Sequence, residues 1–510
     1  MSQSVLASLA PAITVGNTQT FFYPIAGGIR SFTGEAHLQA PVGTPGTLSL
    51  MTAHFTLNPG ATSTVNFRLN GANGSQALIP PGNGFTVDSS HTDTLHVGDL
   101  ICVKYVTAST GTAVAPAAFN FTFTPSVAPG SQLFQSTALN DSTGTAISSN
   151  STFFIDVGVG DGVNPQTVET RVGTRTLLGG SAHNFFIYLL TNTSAATVTC
   201  SLRKNGTTTL TNSVAIAGTT TGLFQDTSHT DTLAPNDSIY ATKTGGTSGS
   251  TIAFVQLGFW LDYLTNAAFD LVAASVNSNG ALYGSSSATG WTPVAGNLQN
   301  TVSNASAVVS QQMRVPIYAT WSNLRIRILT NAITVNATML SEITGVAGNQ
   351  SVVITAGVTG SYEDTSHTDS LIPGNAIQAN ITNSGSSGNA TFSEITSLLT
   401  NGAVPNKQVI HTKKRDEKKV GRKDRGRQAT PLTRHVTPLP LLRKRGRKLK
   451  AKKRHPKRSV FPWHAVRFVP HKLTARRKRK DMARKRAGRR SRFPFQPVSS
   501  ARRPFVFVQT

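Results

Sequence analysis

Cysteine, acidic residues, helical periodicity and uninterrupted apolar runs are all scarce in this chain, and each shortage removes a class of protein. Two cysteines in 510 residues leave no disulfide framework and no paired-thiol metal motif. Cys102 and Cys200 fall at different places in the repeat described below, so each reads as a small buried core residue. The N-terminal stretch "MSQSVLASLAPAITVG" lacks a basic leading segment, and Ser and Pro break its apolar run, so it does not read as a secretory signal. The most apolar long stretch, "IAFVQLGFWLDYLTNAAFDLVAASV", contains Asp262, Asn266 and Asp270 and makes a poor membrane span. No HExxH, nucleophile elbow or CxxC is present. We therefore expect no enzyme, no catalytic residue, no metal and no cofactor.

Charge is distributed very unevenly. Of the 48 lysines and arginines, 37 lie between Lys407 and Arg503, where only Asp416, Glu417, Asp424 and Asp481 are acidic. That segment carries +33, whereas the preceding 400 residues, with 11 basic and 18 acidic side chains, carry −7. The body is rich in Ser, Thr, Asn, Gly and Ala, with β-branched and aromatic residues at intervals. Such a composition reads as an all-β globular region.

The octapeptide "DSSHTDTL" at 88 to 95 returns as "DTSHTDTL" at 226 to 233 and "DTSHTDSL" at 364 to 371. Its histidines, His91, His229 and His367, are spaced by 138 residues twice. A period of that size means tandem domains, not a solenoid. Upstream, Val65/Phe67/Leu69, Val198/Cys200/Leu202 and Val335/Ala337/Met339 alternate with polar residues, as a half-buried strand does. Asn70-Gly71 and Asn205-Gly206 supply hairpin turns, and "VGD", "PND" and "PGN" supply a second turn after the octapeptide. The expected fold class is all-β: three tandem jelly-roll-like β-sandwich domains at 1–130, 133–265 and 268–400, then a disordered, strongly basic tail at 406–510. Short joints between the repeats favour packed neighbours, for which a single-chain pseudo-trimer is one arrangement and a linear stalk or a true homotrimer are the alternatives.

The pattern "SLRKNGTTTL…VAIAGTTTGLFQDTSHTDTLAPNDSIYATKTGG" resembles β-sandwich repeats of surface, fibre and other virion-associated proteins of phages and viruses. Their architecture is similar to the tumour-necrosis-factor-like jelly roll, which commonly works as a trimer. The resemblance covers the second half of each repeat, implies a virion or adhesion role, and carries over no catalytic residue.

Asp88, His91 and Asp93, with Asp226, His229 and Asp231 and with Asp364, His367 and Asp369, form the structural repeat motif. On a regular strand the histidine and the following aspartate share a face, which also suits a metal or acid–base pair. A run of Asp, Ser and Thr more simply bonds back to nearby N–H groups and builds a rigid corner, with the histidine tying it to a neighbouring strand. Presence in every copy fits a folding need of every domain.

The tail alternates basic blocks with apolar patches such as "VFPWHAVRFV". Its self-repulsion prevents independent folding, and its natural partner is a polyanion. The residues expected to meet nucleic acid, RNA or DNA, are Lys413, Lys414, Arg415, Lys418, Lys419, Arg422, Lys423, Arg443, Lys444, Arg445, Arg447, Lys448, Arg476, Arg477, Lys478 and Arg479, with Trp463 and Phe468 stacking on unpaired bases. The expectation is a non-enzymatic virion structural protein, with other virion proteins or its own copies as further partners and no membrane span. The alternative is a host-binding fibre or adhesin that recognises glycan or receptor, with the tail as a virion anchor or nuclear address.

Overall fold

Alternation in the sequence becomes strands in the structure, a computed structural model that describes residues 3–9, 19–28, 33–59, 62–107, 116–127, 129–137, 145–148, 150–157, 166–167, 169, 172–264, 268–274, 281–283, 289–297, 312–383 and 388–402. Thr64–Leu69 buries Val65 and Phe67, and Val198–Lys204 buries Val198, Cys200 and Leu202. In the third copy the strand is Ala337–Ile343, so Val335 lies outside it and is exposed. Asn70 and Gly71 both adopt positive φ, at 51° and 77°, and connect Leu69 directly to Ala72 in a two-residue hairpin of the primed type. Thr344 and Gly345 do the same in the third copy, and Asn205-Gly206-Thr207 forms a three-residue loop in the second. Among the described residues there is no α-helix, and a 3-10 turn spans Glu35–His37.

Among the described residues six sheets result, two from each repeat, and their pairing is antiparallel apart from two short parallel bridges. In the first repeat one sheet runs Ser4–Leu9, Pro116–Pro125, Gly46–Phe55, Gly84–Leu95, and the other runs Thr20–Tyr23, Leu100–Val106, Thr64–Leu69, Ala72–Leu78. In the second repeat the orders are Ser131–Thr137, Thr251–Tyr263, Gly180–Asn192, Gly222–Leu233 and Phe153–Asp156, Ser238–Gly245, Val198–Lys204, Thr208–Ile216. The third repeats them with Ala268–Ala274, Ala390–Asn401, Ala319–Asn331, Gly360–Leu371 and Thr289–Thr292, Ala376–Asn383, Ala337–Ile343, Val346–Ile354. Large side chains from both sheets of a repeat fill one core, as Phe55, Phe67, Tyr105, Phe119 and Phe121 do in the first. Each such side chain contributes roughly 1.5–3 kcal/mol by leaving water. Cys102 and Cys200 are free and buried, and burial pushes the Cys200 thiol up to about 12.

Residues 1–411 form one compact unit, within which every pair of repeats is in contact. Between the first and second, the Trp260 indole donates to the Pro41 carbonyl at 2.8 Å, its ring meets Phe123 edge-on at 5.4 Å, and Gln256 Nε2 donates to Gln39 O at 2.7 Å. Gly43 permits this approach, since a Cβ there would sit 2.7 Å from the indole. Between the second and third, the N–H groups of Arg175 and Leu177 donate to Glu394 and Asp270, each at 3.2 Å. Between the third and first, Asn120 Nδ2 donates to Arg314 O at 3.1 Å, and the Arg314 guanidinium lies 5.6 Å from the Phe85 ring centroid. Each joint sets a strand that neighbours the long central strand of one repeat, Thr251–Tyr263, Ala390–Asn401 or Pro116–Pro125, on the segment that precedes the long central strand of another. The contact is head-to-tail and closes after three steps.

Candidate functional site

The octapeptide does not form a corner between two strands. It is the second half of one continuous edge strand in each repeat, Gly84–Leu95, Gly222–Leu233 and Gly360–Leu371, interrupted by a bulge. Opposite it, Ser49 pairs with Thr92 and Met51 with Asp88, so the three residues 89, 90 and 91 face the single residue Leu50. The same shift flanks Asn184 and Asn323. These three residues adopt φ of 53°, 51° and 54°, in the left-handed region.

The first aspartate holds the bulge together. Asp226 Oδ1 accepts the N–H groups of Ser228 at 3.1 Å and His229 at 3.2 Å and the Ser228 hydroxyl at 2.9 Å, while Oδ2 accepts His229 Nδ1 at 2.8 Å. Asp88 and Asp364 make the corresponding bonds to Ser90 and His91 and to Ser366 and His367.

Both aspartates also reach across to the other sheet. The octapeptide strand ends one sheet and the strand before it in sequence ends the other, so each has an edge of N–H groups without a ladder partner. Asp226 Oδ2 accepts the Ser213 N–H at 2.8 Å, and Asp231 accepts those of Thr211 at 2.9 Å and Asn212 at 2.8 Å. Asp88 and Asp93 take Ala77, Ser75 and Gln76, and Asp364 and Asp369 take Ser351 and Asn349. The motif is a carboxylate zipper along the open side of each pair of sheets.

This geometry corrects the pairing read from the sequence. His91, His229 and His367 bond the aspartate three residues earlier, not Asp93, Asp231 or Asp369 two residues later, and no neighbouring strand. The imidazoles are 53–58% exposed, whereas the carboxylates they touch are 3–4% exposed. Burial pushes Asp226 upward, but the Ser213 N–H, His229 and Ser228 outweigh it and hold the carboxyl at about 2. The balance is similar for Asp88, at about 2, and Asp364 is held well below its ordinary value. Asp231 is also depressed, by Thr211 and Asn212 against the opposing pull of burial.

Serine, histidine and aspartate thus meet in each copy, yet they cannot relay a proton. A hydroxyl and a carboxylate must bond opposite ring nitrogens, and here Ser228 Oγ, at 3.2 Å, and Asp226 both meet Nδ1. Thr44, His183 and Asp262 between the first two repeats repeat the difficulty, with Thr44 Oγ1 and the carboxylate both at Nε2. Among the described residues no group of three or more His, Cys, Asp and Glu is placed to hold a metal ion, and no helix is long and apolar enough to cross a membrane.

Sequence reasoning missed the residues that complete the zipper. Gln76, Asn212 and Gln350 are fully buried on the facing edge strands, bond Asp93, Asp231 and Asp369, and reach on to the central strand at Met51 N, Ala182 O and Leu324 N. Their signal was a polar residue at an inward position of an alternating strand. Beside the second motif lies a groove of about 320 Å³ between Ser213, Ala215, Phe224, Gln225 and His229. Every tail residue expected to contact nucleic acid, from Lys413 to Arg479 and including Trp463 and Phe468, lies outside the described residues. No known family model matches the chain, and no curated protein matches it either.

Proposed function

We propose that this is a non-enzymatic structural protein of a virion, with three jelly-roll domains as its body and the basic tail as its nucleic-acid contact. The observation that carries the reading is strand order. Numbering the eight main strands of the first repeat along the chain, one sheet runs 1-8-3-6 and the other 2-7-4-5. Two nested Greek keys would give that order, which supports the jelly-roll reading. The second and third repeats follow the same order. Such a body has no evident use for 33 net positive charges, whereas a tail of that charge binds phosphates strongly and without regard to sequence. Other virion proteins or further copies of the chain are its remaining partners in this reading, the virion its location, and the host nucleus a second destination through the basic clusters.

Full-length protein and a form lacking residues 406–510, both purified without nuclease, test the proposal by absorbance ratio and electron microscopy. Nucleic acid should accompany only the full-length form. Equal nucleic-acid content would overturn the assignment of the tail. The groove beside Phe224 and His229 favours a second reading, a fibre or adhesin that holds glycan or protein there. In that case the deletion should abolish virion attachment while ligand binding persists.

A further inference from the structure

The joint between the second and third repeats is built unlike that between the first and second. Asp270, fully buried on Ala268–Ala274, accepts the Leu177 N–H and stands beside the Leu178 N–H and the Tyr263 hydroxyl. None of these groups is a cation. Glu394, also fully buried, accepts the Arg175 N–H and is faced by Arg327 and Arg325 from its neighbouring strand, by the Arg175 guanidinium, and by Asp156. Asp156 accepts the Gly173 N–H and faces Glu394 and Arg327. Glu363 faces Arg325 from the octapeptide strand, and Arg325 also donates to Ser361 Oγ at 2.9 Å. Three carboxyls therefore grip residues 173–178 from two repeats. One oxygen of Asp270 and one of Glu394 have no hydrogen-bond partner, nor do Nε and Nη1 of Arg325.

The corresponding seam between the first and second repeats is uncharged at this rung. Trp260 pairs with His183 and Leu398 with Ser322, the residues just before the bulges, so Gln256 opposite Tyr188 and Glu394 opposite Arg327 occupy equivalent places. Gln256 uses its amide to hold the Gln39 carbonyl, a bond indifferent to pH.

We propose that the joint between the second and third repeats is a pH-controlled latch: Asp270 and Asp156, with Glu394 beside them, hold residues 173–178, and ionisation of the two aspartates releases the segment and opens the contact. Burial raises Asp156 to about 7 and Asp270 to about 8, and it raises Glu394 as well. Opening returns these carboxyls to water and to ordinary values of about 4. The closed joint therefore binds more protons than the open one. Its closure is favoured most below about pH 4 and is progressively lost as pH rises to about 8.

Amide hydrogen exchange of the full-length chain at pH 5 and pH 9, corrected for the chemical exchange rate, tests the latch. Protection at Arg175, Leu177 and Leu178 should fall at least about tenfold, since each carboxyl released changes the opening equilibrium by up to roughly tenfold per pH unit. Ile187 and Leu189, in the core of the same repeat, should keep their protection. Asp270→Asn and Asp156→Asn, which preserve shape without titrating, should flatten the response at residues 173–178. An unchanged segment, or parallel loss in segment and core, would overturn the proposal even if neither variant folds. A full pH response in folded variants would overturn it equally.

Discussion

A carboxylate that accepts bonds from both its own strand and a neighbouring sheet is costly to lose, because several N–H groups are stranded at once. Asp226 has that role, and His229 does not: its ring is half in water and removes only one of the bonds the carboxylate receives. Asp226→Ala should lower stability by about 1–3 kcal/mol, through buried donors left without partners. His229→Ala should cost less than about 1 kcal/mol, since the half-exposed ring supplies one hydrogen bond and Asp226 keeps its N–H donors. Chemical denaturation of the two variants checks the order, and a larger loss for His229→Ala would contradict the zipper. Asp88 and Asp226 titrate at about 2 when folded and near 4 when unfolded. Their stabilisation is therefore present above about pH 4 and lost as pH falls to about 2. Asp226→Asn should flatten the acid limb of a stability profile over that window.

Strands and turns were the most legible elements, because their signals are local. Alternation located Thr64–Leu69 and Val198–Lys204, and asparagine–glycine pairs located hairpins where positive φ is required. In "VGD", "PND" and "PGN", Gly98, Asn236 and Gly374 adopt the positive φ expected of the turn. Contacts between distant elements were not legible. Asp270 in an apolar run argued against a membrane span, and only tertiary packing shows it gripping another repeat. The bulge was hidden for a different reason: the second and third copies place Asn there, the residue that best tolerates left-handed backbone, but the first places Leu50. Leu50→Asn should remove roughly 1 kcal/mol of strain. A rise in the denaturation midpoint with unchanged slope is the expected result, and a fall would show that Leu50 packing outweighs its backbone cost.

For the molecule as a whole, two properties set its behaviour: repeats that contact one another in all three pairs, and a tail whose charge opposes that of the body. Small-angle scattering of residues 1–405 should give a radius of gyration of about 21 Å, the value for a compact chain of that length. A markedly larger radius would mean that the contact between Asn120 and Arg314 does not hold in solution. The functional account depends most on the tail, and the salt dependence of its binding tests that most directly. If the full-length protein neutralises even 6–10 phosphates, its affinity for nucleic acid should fall by roughly 10³–10⁵ between 50 and 200 mM salt. Single and double strands of unrelated sequence should respond alike, and replacing Arg476, Arg477, Lys478 and Arg479 should flatten the slope for all of them. Affinity that barely responds to salt, or a strong preference for one short sequence, would contradict the account.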